Sequence, residues 1–259
     1  FDGHAGHGLN FTNVKKIASI IEIEELNIGD EAGFSVDLSD DGTYLAVGSA
    51  FNDNTGGASA GHVRIYNFTA EGWKQKGAAI DGLRPYEYSG SSLALANFED
   101  PGAAADVLIV AVGAPGAYGS RGRVTVYEWV AETWQKRGVD LYGDNDGDQF
   151  GFSVSLSTNG TRLTVGTVTG SVRVYEWKTD KWVGVSLDIL AESAGDAAGF
   201  AVSMAGDGSR VAIGAPQSDA NGTDSGHVRV YELAKWDATA PSPPPTGISP
   251  SPPPPPAAP

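Results

Sequence analysis

The residues of this chain with usable chemistry are carboxylates, sequon asparagines and four histidines. The run Asp144-Asn145-Asp146-Gly147-Asp148 has the oxygen density that a hard cation such as Ca2+ requires, with Asp144, Asp146 and Asp148 as the ligand candidates. A solvated acidic turn is the plainer reading of the same residues. His4 and His7 lie close together, but two histidines without a carboxylate or third ligand nearby make a poor metal site. Asn10-Phe11-Thr12, Asn67-Phe68-Thr69, Asn159-Gly160-Thr161 and Asn221-Gly222-Thr223 are acceptor sequons, so Asn10, Asn67, Asn159 and Asn221 are glycosylation candidates. Each is expected in a terminus, turn or loop. Nucleophilic and acid–base catalysis find no footing. There is no Gly-x-Ser-x-Gly elbow and no phosphate-cradling glycine loop ahead of a helix, and the carboxylates are scattered over turns. No catalytic residue is assigned, and the chain reads as a non-enzyme.

These residues are carried by a stretch that the chain writes four times. The clearest copy runs Gly151-Phe152-Ser153-Val154-Ser155-Leu156, then Asn159-Gly160, then Leu163-Thr164-Val165-Gly166. It continues as Gly170-Ser171-Val172-Arg173-Val174-Tyr175-Glu176-Trp177, with Trp182 beyond. Val154 and Leu156 alternate with serines, which is strand periodicity. Asn159-Gly160 predicts a two-residue type I′ hairpin turn, in which both central residues need φ > 0. One copy is therefore a four-stranded antiparallel meander. Val36 and Leu38, Leu93 and Leu95, and Val202 and Met204 occupy the places of Val154 and Leu156 in the other copies. Tyr66, Tyr127, Tyr175 and Tyr231 mark the same point in each, at spacings of 61, 48 and 56 residues. Four short strands per period of about 40 to 50 residues is the pattern of propeller blades. His62, Arg123, Ser171 and His227 are equivalent positions with different chemistry, expected at a strand start on one rim. Trp73, Trp129, Trp134, Trp177, Trp182 and Trp236 recur at repeat positions, which favours packing over a sugar-stacking role.

The expected fold is all-β: a β-propeller of four four-stranded antiparallel blades at about 29–82, 86–143, 144–190 and 195–237. Residues 1–16 are an N-terminal extension, and residues 17–24 form a strand that closes the propeller or completes a blade between subunits. The fourth copy reaches Trp236 and then runs into Ala238-Thr239-Ala240-Pro241, without an outer strand of its own. The absence of cysteine removes disulfides and thiolate metal sites. A net charge of −15 disfavours nucleic acid and anionic membrane surfaces as partners. No apolar run approaches the roughly 20 residues of a membrane span. The sequence opens on Phe1, as expected of a mature protein released from a signal peptide or of a piece of a longer chain.

Phe150-Gly151, with Gly113-Ala114-Pro115 and Gly214-Ala215-Pro216, makes residues 17–237 resemble the FG-GAP repeat family, the propeller repeats of integrin α-subunits and of many bacterial and algal surface proteins. The resemblance implies an extracellular adhesive, scaffold or ligand-binding propeller. Some hairpins of that family bind Ca2+. Here the matching turns are too short, and only the insertion carrying Asn97, Asp100 and Asp106 offers ligands at that position.

Residues 238–259 form a Pro-rich tail that cannot join a strand ladder and is expected as a polyproline II rod. Its composition resembles the hydroxyproline-rich glycoproteins of algal and plant cell walls. That likeness implies sugars on Ser242, Pro243, Pro244, Pro245, Ser249, Pro250, Ser251 and Pro252. The combined expectation is a secreted, glycosylated structural protein that polymerises with itself through its extensions into a fibre, cell wall or surface layer. It needs no cofactor, binds no nucleic acid and has no membrane span. The alternative is a ligand-binding adhesin or lectin-like propeller using loops 51–61, 97–106 and 216–225. A hydrolase or lyase with its site in the channel is the third reading.

Overall fold

The computed structural model describes residues 28–99, 106–185 and 188–233. They form four antiparallel sheets in chain order. Sheet I contains β1 (Ser35–Leu38), β2 (Tyr44–Ser49), β3 (His62–Thr69), β4 (Gly72–Gln75) and the short β5 (Ile80–Asp81). Sheet II contains β6 (Ser92–Phe98), β7 (Val107–Ala114), β8 (Arg123–Val130), β9 (Thr133–Lys136) and β10 (Leu141–Tyr142). Sheet III contains β11 (Ser153–Leu156), β12 (Arg162–Gly166), β13 (Ser171–Lys178), β14 (Lys181–Gly184) and β15 (Ile189–Leu190). Sheet IV contains β16 (Ala201–Met204), β17 (Arg210–Ala215) and β18 (His227–Glu232). The one helical element described is a single turn, Ala117–Ser120, in which Tyr118 and Gly119 have positive φ.

The antiparallel meander expected of each repeat is present through its third strand in all four sheets; sheet IV has three strands among the described residues, and the outer edge of the others differs from one plain fourth strand. In sheets I to III the outer strand is broken in two, both halves pairing with the third strand. The hairpin turn also differs from a type I′ turn. The Gly160 N–H reaches the Ser157 carbonyl at 2.8 Å, and Gly160 has φ 58°. Asn159 is not among the positive-φ residues. Its carboxamide oxygen instead accepts from the Thr161 N–H at 3.1 Å and from the Ser157 and Thr161 hydroxyls. This side-chain turn holds a four-residue loop, because the carboxamide replaces backbone bonds that a tighter turn would make. Asp41 does the same in sheet I, and Asp207 accepts the Ser209 N–H in sheet IV.

Successive sheets stack through apolar layers. Ala46, Val63 and Ile65 of sheet I meet Leu93, Leu95 and Val110 of sheet II. Ala94, Ala111, Val124 and Val126 on the opposite face of sheet II meet Val154, Leu163 and Val165 of sheet III. Val172 of sheet III meets Val211 and Ile213 of sheet IV. Each layer is pinned by a serine on the first strand. Ser35 Oγ donates to the Gly90 carbonyl at 2.6 Å, Ser92 Oγ to Gly151 at 2.7 Å, and Ser153 Oγ to Gly199 at 2.7 Å. The same carbonyls sit against Gly48, Gly113 and Gly166, where any Cβ would overlap them. Glycine is needed there for close approach of two backbones.

The hairpin tips are bonded to one another. Asn97 Nδ2 donates to Asp41 Oδ2 at 3.0 Å, Thr158 Oγ1 to Asp40 Oδ2 at 2.6 Å, and the Thr158 N–H to the Gly206 carbonyl at 2.8 Å. The tips of all four sheets therefore gather at one place. The N-terminal extension, the strand expected at residues 17–24 and the tail lie outside the described residues.

Candidate functional site

The most developed polar chemistry sits where each third strand begins. His62, Arg123, Ser171 and His227 open β3, β8, β13 and β18, as the repeat alignment requires. In sheet I, Asn52 Nδ2 donates to Asp30 Oδ2 at 2.8 Å, and its carboxamide oxygen faces His62 Nδ1 at 2.8 Å. A carboxamide oxygen only accepts, so Nδ1 carries the hydrogen. Nε2 is then a bare lone pair, buried without a partner among the described residues. Asp30, Asn52 and His62 are all buried. Burial pushes the His62 pKa down from 6.5 to about 4, and the nearby Arg64 charge works in the same direction.

In sheet II the same place holds an ion pair. Arg123 Nη2 donates to Glu87 Oε2 at 2.8 Å, and the Leu83 N–H donates to the same oxygen at 2.9 Å. Both side chains are buried, and a buried pair of this kind holds geometry more than it adds stability. In sheet III, Thr167 Oγ1 lies 3.1 Å from Ser171 Oγ, and Thr169 Oγ1 donates to Asp148 Oδ1 at 3.2 Å. In sheet IV, His227 Nδ1 lies 2.7 Å from Ser218 Oγ. Asp30, Glu87, Asp148 and Asp196 hold matching places three residues ahead of Gly33, Gly90, Gly151 and Gly199. Sheets I to III thus tie the leading loop toward the third strand by different means, whereas in sheet IV Asp196 accepts the Ser193 N–H of its own loop. No common substrate is implied, and these groups are occupied in holding loops.

The Ca2+ candidates do not converge. Asp148 Oδ2 accepts the Asp144 and Asn145 N–H groups at 3.0 and 2.8 Å, closing its own turn. Asp144 is bonded to Arg173, and Asp146 lies 3.7 Å from Arg121. Asn97 donates its Nδ2 to Asp41 and keeps a buried Oδ1 without a partner among the described residues, Asp106 is exposed, and Asp100 lies outside the described residues. No group of three or more acidic or histidine side chains gathers as a metal site among the described residues. The described candidates stay bonded to their own neighbours and are not gathered around one point.

The sequons are spread over the molecule. Asn159 is exposed in the hairpin loop, and Asn221 is exposed in the loop before β18. Asn67 departs from the expectation of a turn. It lies inside β3, paired with Tyr44 and Lys74, and is half-buried, because the strand runs on to Thr69 before turning. Asn10 and the serines and prolines of the tail lie outside the described residues. The three loops proposed to hold a ligand together do not share an end of the sheets. Loops 51–61 and 216–225 follow second strands, whereas Phe98 and Val107, which flank the third loop, pair at the start of one, so antiparallel pairing places these two residues at the opposite end.

Four of the five described tryptophans pack between sheets, while Trp73 meets Phe68 of its own sheet, at 5.1 Å between ring centroids. Trp129 meets Trp134 and Trp177 meets Trp182 edge to face, at 5.2 and 5.3 Å between ring centroids. Trp134 Nε1 donates to the Lys76 carbonyl of the preceding sheet at 3.0 Å, and Trp182 Nε1 to that of Arg137 at 2.9 Å. Lys76 and Arg137 in turn lie over Trp129 and Trp177. Indole faces covered by the neighbouring sheet are not open to a sugar.

The largest surface anomaly, which sequence reading missed, is apolar. Val63 and Ile65, Val124 and Val126, and Val172 and Val174 are 0 to 2% exposed, whereas their equivalents Val228 and Val230 are 70% and 66% exposed. Val36 and Leu38, at the other end of the stack, are 62% and 53% exposed, whereas their equivalents Leu93 and Leu95 are both 8% exposed. The signal was available: the four copies carry the same apolar pattern, while a stack of four has only three internal layers.

The sequence matches no family model, and no curated protein shows significant similarity to it.

Proposed function

We propose that this chain is an extracellular, glycosylated structural subunit whose four sheets are the blades of an FG-GAP-like β-propeller. The supporting observation is how the polar residues are used. Asp30, Asn52, His62, Glu87 and Arg123 are buried and bonded within the fold, while the outward faces of the first and last sheets are exposed and apolar. Chemistry is spent on rigidity, and the surface that remains suits contact between macromolecules. The gathered hairpin tips support a radial arrangement of the sheets, with first strands innermost. The sequons at Asn159 and Asn221 are exposed, in keeping with a glycosylated surface. The Pro-rich tail, read as a polyproline II rod, would add a spacer of roughly 60 Å.

The test is to express the full chain through a secretory pathway. Peptide mass spectrometry should find glycan on Asn159 and Asn221 and on tail serines or modified prolines. Sedimentation should show particles heavier than one chain. Unmodified protein that remains monomeric at every concentration rules this reading out.

A further inference from the structure

We propose that the two outermost sheet faces are the two halves of one interface, and that a second copy of this chain occupies them head to tail. Sheet I of one molecule seats on sheet IV of the next. The inference rests on the scaffold reading above and specifies the contact by which copies would join.

The reasoning is positional. Every internal layer of the stack uses the same parts. One sheet presents the paired apolar residues of its third strand, and the following sheet presents the paired apolar residues of its first strand. Val124 and Val126 play the first part in the layer between sheets II and III, and Val154 the second. Val228 and Val230 are the first part without its second, and Val36 and Leu38 are the second without its first. Both halves are present on one chain, so another copy supplies what each end lacks.

The backbone parts agree. Gly48, Gly113 and Gly166 are each filled by the glycine carbonyl of the next sheet. Gly214 is their equivalent, and a Cβ built there meets only Ala201 of its own sheet, at 3.6 Å and beyond. The carbonyl that would fill this space in a continued stack is that of Gly33. One part is changed. The serine that pins each internal layer is Ala201 in sheet IV, so this contact lacks a hydrogen bond that the internal layers have. A contact built like an internal layer but short of one bond is suited to reversible association.

The two faces differ from each other, so the pairing is heterologous and extends as a filament unless the rotation closes it into a ring. The net charge of −15 opposes association, and added salt should therefore strengthen it.

The experiment uses the full chain, with Val36→Asp and Val230→Asp as single variants. Both positions are exposed, so each variant should melt as the parent does. Sedimentation of the parent should show mass rising with concentration, and each variant alone should lose all species above the monomer. An equal mixture of the two variants has one intact face of each kind, so it should form pairs and nothing larger. Ala201→Ser restores the pinning hydroxyl, and should lower the concentration at which mass rises by about fivefold, the effect of one net hydrogen bond. Assemblies that persist in both single variants overturn the docking while leaving the scaffold reading in place. Pairs formed by either variant alone overturn the head-to-tail arrangement. A parent chain that stays monomeric overturns the docking and the scaffold together; if Val36 and Val230 then also resist solution footprinting, the occupant is the chain's own termini or its own opposite face.

Discussion

His62 illustrates how far a single residue can be read. The repeat alignment marks it as equivalent to Arg123, Ser171 and His227. Its partners Asn52 and Asp30 sit on separate loops that no spacing rule connects, and that part was not legible. The consequence is a pH dependence with a definite sign. The folded pKa of about 4 lies below the free value of 6.5, so the unfolded chain takes up the proton first as pH falls. Stability present above about pH 6.5 is therefore lost progressively toward about pH 4. Thermal melts across this range should show that loss, and His62→Gln should flatten it. The buried pair Glu87–Arg123 makes a second prediction at this scale. Glu87→Gln leaves the guanidinium buried without its charge partner, and should cost about 3–5 kcal/mol in denaturant unfolding. Adding Arg123→Met to that variant should recover much of the loss, because the uncompensated charge is gone.

At the scale of elements, the strands were legible because Val and Leu alternate with Ser in every copy. The hairpin was mistaken for a type I′ turn because Asn-Gly carries that signal locally. It does not reveal that the Asn159 carboxamide would take the Thr161 N–H and widen the loop. The broken outer strand was not legible either. Gly77 and Gly138 interrupt it where the next sheet's Trp129 and Trp177 press in, and that neighbour is distant in sequence. The pinning serines give a prediction for the element they join. Ser92→Ala should cost about 1 kcal/mol, the net worth of one hydrogen bond. Ala201→Ser should leave the stability of the monomer unchanged, since no neighbouring sheet lies opposite it. Gly113→Ala should be more severe, about 3 kcal/mol by equilibrium unfolding, because the new methyl overlaps the Gly151 carbonyl.

At the scale of the whole molecule, four repeats and their order were legible, and the open ends of the stack were not. A periodic sequence reports what each unit needs on both faces. It does not report whether the first and last units find it. The acidic run shows a related gap: Asp144 and Asp148 are dense in sequence, but in the fold an arginine and a backbone N–H group are bonded to them, which spacing does not report.

The internal layers are not equal. Twelve buried apolar residues fill the layer between sheets II and III, nine fill that between I and II, and five fill that between III and IV among the described residues. Under tension the joints act in series, and the thinnest yields first. A single molecule held at sheets I and IV and drawn apart would give way by peeling off sheet IV while the other three stay together, so a load limit is already written into the thinnest seam.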